Sequence, residues 1–177
     1  MIAHIEESMN HEQFLVELKE RERFADCHSR YYADRATLYN RVDYWTRGCI
    51  GVIALVGVGL TGLENWREIG AIMAGGCAII TTSLFPLFKW DSIVNGFNDS
   101  ENEWTRIHKG YENVFSYYNI SDKAEILVQE FQRVKEMQNG AALSDKRLPY
   151  NSEKFKHYVQ EVRDYHKEED EINGGQA

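Results

Sequence analysis

The sequence lacks most of the features that mark a soluble enzyme or a nucleic-acid-binding protein. Its three cysteines are an odd number spread over distant segments, which excludes a disulfide framework and suits a reducing cytoplasm. The net charge of -8 argues against the basic face that phosphate contacts require, so we expect no direct nucleic acid binding. No G-x-S-x-G, H-E-x-x-H, Walker or C-x-x-C motif occurs, and the six histidines show no metal-ligand spacing. We therefore expect no catalytic residues, no cofactor and no bound metal.

Charged residues are also missing from two stretches in the middle of the chain. The first covers 16 residues, 48–63, and the second covers 20 residues, 69–88. A membrane-spanning helix needs about 20 apolar residues to cross roughly 30 Å of hydrocarbon. Trp45 and Trp66 flank the first stretch and extend it, because tryptophan prefers the membrane interface. We predict two membrane spans, with a pair of buried core helices in a soluble protein as the alternative.

The connection between the two stretches is short, which favours two antiparallel neighbouring helices. It consists of residues 64–68, and Arg67 is its one basic residue. Several arginines and lysines precede the first stretch and follow the second, among them Arg47 and Lys89. Because basic residues mark cytoplasmic segments, we expect both termini in the cytoplasm. Glu64, Arg67 and Glu68 would then surround the far-side mouth of any path through the membrane.

Small residues recur in the second stretch at the spacing of helix contacts. They are Gly70, Ala74 and Ala78, with Gly75 beside them. Such rows let helix backbones approach closely in lipid, either within one chain or between copies.

Four hydroxyl side chains are the polar groups within the spans, where polar groups are costly. They are Thr61, Thr81, Thr82 and Ser83. Two interpretations stay open: each hydroxyl bonds a carbonyl one turn back, or Thr81, Thr82 and Ser83 line an aqueous path. Because one pair of helices cannot enclose a channel, a pore would need several copies.

Residues 57–62 match the dinucleotide-binding fingerprint G-x-G-x-x-G. That motif requires a strand before it, a helix N-terminus after it and an acidic residue about 20 positions on. Here it lies inside a glycine-rich apolar stretch, and position 82 is a threonine. We expect no nucleotide there.

Apolar residues recur every seven positions on both sides of the spans, as in helices packed like a coiled coil. The rows before the spans are Phe24, Tyr31, Leu38 and Trp45, and Leu18, Ala25, Tyr32 and Tyr39; the row after them is Trp90, Phe97, Trp104, Tyr111 and Tyr118. The pattern predicts two long helices that run without a break into the spans and pair through an aromatic seam.

The predicted organisation is all-α and has four regions: a cytoplasmic helix over 1–47, a two-span hairpin over 48–88, a returning cytoplasmic helix over 89–120, and a helical region over 121–177 with an acidic tail. Two shorter helices are expected in the last region. Ser121 or Asp122 would cap the first, which would end at Asn139-Gly140, and Ser152 would cap the second.

This layout between Glu12 and Tyr118 resembles the SLATT family, the SMODS- and SLOG-associated two-transmembrane effectors of bacterial anti-phage systems. The resemblance implies an inner-membrane protein without catalytic residues that forms homo-oligomers in the lipid bilayer. It further implies a pore that opens on a signal of infection. The signal would come from a sensor protein encoded alongside or from a small signalling nucleotide. Two alternatives stay open: a non-pore anchor or scaffold that recruits a soluble partner, and a small constitutive channel or transporter subunit. The absence of charges within the spans argues against ion-coupled transport.

Overall fold

The computed structural model of the protein describes residues 11–120 and 124–174, which are helical almost throughout and include no strand. The predicted all-α fold class is confirmed. Six α-helices are present in this part of the chain: α1 His11–Thr61, α2 Arg67–Ile79, α3 Phe85–Leu87, α4 Trp90–Ile120, α5 Ala124–Ser144 and α6 Ser152–Gly174. Short turns of 3-10 helix lie at Glu64–Trp66 and Asp145–Arg147, and one π-helical turn lies at Ile80–Leu84.

The chain forms two compact units. The first, here called the bundle unit, combines the described residues up to Ala33 with those from Asp99 onward; the second, the apolar unit, is residues 34–98. Two helical segments, Gln13–Thr61 and Glu64–Leu87, are long and apolar enough to cross a membrane.

The residues of the seven-residue rows are not all buried in the core of the bundle unit. Leu18, Ala25, Trp104 and Tyr111 are completely buried, as the rows through them predict. Phe24, from the other row of α1, is instead 43% exposed. The two shorter helices contribute to this core, since the unit also buries Phe131 and Val134 from α5 and Val162 from α6.

The predicted end of α5 is wrong. The helix passes through Asn139 and Gly140 and continues to Ser144. Glycine inside a helix costs about 1 kcal/mol relative to alanine. Ala141, directly after it, is completely buried, and this burial favours continuing the helix by another turn.

The cap of α6 lies one residue before the predicted one. The side-chain oxygen Oδ1 of Asn151 accepts a hydrogen bond from the backbone N–H of Lys154 at 3.0 Å. This is the usual bond from a cap to the third helical residue, so Asn151 is the cap and Ser152 is the first residue of the helix. Ser121 and Asp122 lie outside the described residues.

The predicted unbroken helix on the second side of the apolar unit is also wrong. The helical segment that begins with α2 ends with α3 at Leu87, and α4 begins at Trp90. Lys89 has a φ of 49°, in the left-handed region that interrupts a helix. Pro86 contributes to the irregularity because it has no N–H to donate one turn back and its ring crowds that carbonyl.

Candidate functional site

The apolar stretches of the two long segments face outward. Only 6% of the stretch in Gln13–Thr61 is buried within the chain, and only 11% of that in Glu64–Leu87. Leu55 on α1 and Ile72 on α2 are each 74% exposed. A core helix of a soluble protein would be mostly covered, so this alternative does not fit. The surface needs lipid or another protein to cover it.

Two glycines let α1 and α2 touch through their backbones. A Cβ atom added to Gly70 would lie 2.5 Å from the carbonyl oxygen of Gly57, and one added to Gly57 would lie 2.9 Å from the amide nitrogen of Ala74. Real Cβ contacts are not that short, so no larger residue fits without a shift. This is the close approach that small residues permit between helices in lipid.

The proposed packing residues take different places around this contact. Gly70 and Ala74 lie in it, and Gly70 is buried. Gly75 is exposed, and a methyl group added there would have no atom of another helix within 4 Å. Ala78 is exposed and lines a groove of about 530 Å³ together with Ala54 and Val58 of α1.

Sequence reasoning missed Gly57, although its four-residue spacing to Thr61 is the same small-residue signal on the facing helix. Gly57 opens the G-x-G-x-x-G match, and the structure places that residue inside α1, buried against Gly70. No strand precedes it in the described chain. The match is therefore explained by helix packing, and the geometry of a dinucleotide fold is not formed.

The hydroxyls of Thr61, Thr81 and Thr82 are bonded to their own helix. Thr82 Oγ1 donates to the carbonyl of Ala78 at 2.7 Å, and Thr61 Oγ1 donates to that of Val58 at 2.6 Å. Thr81 Oγ1 lies 3.0 Å from the Cys77 carbonyl and 3.1 Å from that of Ala78. This is the geometry of the first interpretation above. The side chains of Thr81, Thr82 and Ser83 are nevertheless all exposed.

These three hydroxyl residues lie in the π-helical turn Ile80–Leu84. The N–H of Phe85 donates to the carbonyl of Ile80, five residues back instead of four. Pro86 follows directly and has no N–H to donate. Such single π turns interrupt α-helices frequently at functional positions. The hydroxyl cluster therefore lies at an irregular turn inside the second apolar segment.

The residues proposed for the far-side mouth lie together at the connection between α1 and α2. Glu64 begins the 3-10 turn, and Arg67 and Glu68 begin α2. All three are exposed. Glu68 lies in the first turn of α2, where its negative charge interacts favourably with the helix dipole.

A polar clasp holds the opposite end of the apolar unit. Asp43 accepts hydrogen bonds from Arg47 Nε at 2.7 Å and from Trp90 Nε1 at 2.8 Å. Arg47 also donates to Asp91, and its guanidinium lies 5.5 Å from the ring centre of Phe85. In the sequence, Arg47 is one of the basic residues that flank the apolar stretches, and Trp90 begins the aromatic row after them. The four-residue spacing of Asp43 and Arg47 was the one available signal of the clasp.

The bundle unit contains a polar cluster around Asp145. Its two carboxylate oxygens accept hydrogen bonds from Ser100 Oγ at 2.7 Å and from Trp104 Nε1 at 2.6 Å. Burial and the neighbouring Asp145 carboxylate raise the pKa of Tyr32 far above its usual value. Asp145 comes from the turn after α5, so the sequence pattern did not mark it as a partner of these aromatic residues.

His28 lies over this cluster. Its ring stacks on Trp104 with centroids 4.2 Å apart and planes at 19°, and its Nδ1 is buried without a hydrogen bond to the described residues. Burial lowers the pKa of His28 to about 4, and the Asp145 carboxylate opposes this shift. A neutral imidazole packed between aromatic rings has a structural role here.

Comparisons of the chain with protein-family models, with curated proteins and with solved structures give no match.

Proposed function

We propose that this chain is a two-span membrane protein whose copies assemble in the bacterial inner membrane and open a pore when its cytoplasmic helices are engaged. The observation that supports the proposal best is the outward-facing apolar surface of the two long segments. Lipid tails and neighbouring copies of the chain can both pack against such a surface. The role in anti-phage defence comes from the resemblance to the SLATT effectors.

Contacts within the apolar unit support a hairpin with both ends on one side. Asn40 Nδ2 donates to Asn98 Oδ1 at 2.7 Å, and the ring of Tyr39 stacks on Phe97 with centroids 4.6 Å apart. The two ends of the unit are therefore adjacent, so a chain that crosses the membrane twice enters and leaves on the same side. The arginines and lysines that flank the unit favour the cytoplasmic side.

The hydroxyl cluster supports a polar path between copies. Thr81, Thr82 and Ser83 are exposed in the single chain, so they are available to a neighbouring copy or to water. A hydroxyl that donates to a carbonyl still has lone pairs that accept from water. The backbone bonds of Thr81 and Thr82 are therefore compatible with a water-lined position in an assembly.

A second candidate is a membrane anchor or scaffold that recruits a soluble partner. It is favoured by the same backbone bonds, because hydroxyls satisfied within their own helix do not require a water path. The bundle unit also has a groove of about 720 Å³ between α4 and α5, and its mixed lining includes the polar residues Arg106, Lys109 and Asn113. In this alternative the spans only hold the bundle unit at the membrane.

The two candidates differ in assembly and in conductance. We would measure the oligomeric state of the full chain in nanodiscs by mass photometry, and potassium flux from liposomes that contain it. The test variant is Thr81→Val, Thr82→Val and Ser83→Ala combined. The matched control is Thr46→Val, which removes a hydroxyl bonded to the Val42 carbonyl outside residues 48–88. A pore predicts assemblies of several copies and a flux that the triple variant lowers and the control leaves unchanged.

A stable monomer or dimer without flux, under resting and stimulated conditions, would overturn the pore and favour the anchor. The same conclusion would follow if replacing residues 48–88 by an unrelated two-span hairpin preserved the cellular phenotype.

A further inference from the structure

Three potential metal ligands from distant parts of the chain meet on the bundle unit. They are Glu22 from α1 and the pair His108 and Glu112 from α4. One ligand atom of each lies within 4.8 Å of the ligand atoms of the other two. His108 and Glu112 are four residues apart on one helix, so their side chains share a face. All three residues belong to the same compact unit.

The ligand atoms of the cluster are close together, but His108 and Glu112 do not hydrogen-bond to each other. His108 Nε2 lies 3.9 Å from Glu112 Oε1, which is beyond hydrogen-bond distance. A tetrahedral metal with bonds of about 2.0–2.2 Å holds its ligand atoms roughly 3.3–3.6 Å apart. A bound ion would bring His108 Nε2 and Glu112 Oε1 closer together by roughly half an ångström.

The surroundings leave one side of the cluster accessible. The side chain of His108 is 23% exposed and that of Glu112 is 52% exposed, and Glu22 is partly buried. Two carboxylates balance the charge of a divalent ion, and water would complete the coordination from the open side. This combination of three protein ligands and water is common at zinc sites.

We propose that Glu22, His108 and Glu112 bind a divalent first-row transition metal, with zinc as the best-suited ion. The imidazole nitrogen selects against calcium and magnesium, which prefer oxygen ligands alone. A bound ion would connect α1 to α4 within the bundle unit and stabilise it. This inference does not depend on the pore, because it uses only the geometry of the bundle unit.

The alternative is a surface arrangement of one histidine and two glutamates without a ligand. To distinguish the two, the full chain would be purified in detergent, treated with a chelator and titrated with zinc chloride. Cobalt chloride would serve as a spectroscopic probe. We expect one zinc per chain, a rise in melting temperature on addition of zinc, and visible cobalt absorption bands of a site with nitrogen and oxygen ligands.

His108→Gln and Glu22→Gln are expected to weaken zinc binding at least about tenfold, because each removes a direct ligand or its charge. The control is His157→Gln, which changes an exposed histidine of α6 outside the cluster. Circular dichroism of the metal-free variants shows whether they fold. Equal zinc affinity in folded His108→Gln and in the unmodified chain, or no binding at micromolar zinc, would overturn the proposal.

Discussion

Gly57 and Gly70 are in backbone contact, with no room for even a methyl group between their helices. A Cβ atom on Gly70 would lie 2.5 Å from the carbonyl oxygen of Gly57 and 2.7 Å from the amide nitrogen of Thr61. Both obstacles are backbone atoms, which no side-chain rotation can move. The helices themselves would have to separate.

Gly70→Ala is therefore expected to lower the free energy of unfolding by about 1–3 kcal/mol, the usual cost of overpacking. The measurement is unfolding of the purified protein in mixed micelles with increasing SDS. Gly75→Ala is the matched control, because a methyl group there meets no atom of another helix within 4 Å. It should leave stability unchanged or raise it slightly, since alanine favours helix. Equal losses in the two variants would show that the α1–α2 contact is not close.

Asp145→Asn tests the polar cluster of the bundle unit. The variant removes the charge that strengthens the hydrogen bonds from Trp104 Nε1 and Ser100 Oγ, and it turns one acceptor into a donor. A hydrogen bond to a charged group contributes about 1.5–3 kcal/mol, and we expect a loss in that range.

The change would be followed by tryptophan fluorescence during thermal unfolding. Asp164→Asn is the control, because Asp164 accepts its bonds from the exposed Gln160 one turn away on the same helix. If both variants melted together with the unmodified protein, Asp145 would not hold Trp104 in place.

His28 makes stability depend on pH in the acidic range. Its pKa is about 4 in the folded protein, below the usual 6.5, because burial disfavours the charged ring. Below pH 6.5 the unfolded chain therefore binds a proton that the folded chain does not. The contribution of His28 is complete above pH 6.5 and is lost progressively as the pH falls to about 4.

His28→Phe keeps a ring against Trp104 and removes the titration. Melting temperatures measured between pH 4 and 7 are expected to fall less steeply for this variant than for the unmodified protein. A slope that does not change would contradict the burial of a neutral His28.

Cys27 is expected to react slowly with alkylating reagents. Burial raises its pKa from 9.0 to about 11, and the thiolate is the reactive form. A shift of this size lowers the thiolate fraction at pH 8 roughly hundredfold. Alkylation by N-ethylmaleimide, followed by mass spectrometry in a Cys49→Ser, Cys77→Ala background, would measure the rate. Denaturation should restore ordinary reactivity, and fast alkylation of the folded protein would show that Cys27 is accessible.

Several features followed from local sequence alone. Uncharged stretches of span length predicted the two apolar segments, because hydrocarbon excludes charges whatever the tertiary contacts are. Seven-residue spacing identified Leu18, Ala25 and Trp104 as core residues, because helix geometry puts residues at that spacing on one face. Helix ends were less predictable, as Gly140 illustrates: its local tendency to end α5 was outweighed by the burial of Ala141 in the following turn.

Tertiary structure decided which of these residues meet. The sequence contained Gly57 and Gly70, but their contact depends on the register of two helices that lie side by side. Asp145 became the acceptor for Trp104 because the turn after α5 returns to α4. Glu22 and His108 lie close together because α1 packs against α4, and no spacing in the sequence indicates that contact. Periodicity determines which face of a helix is apolar, whereas only the packed fold selects the partner of that face.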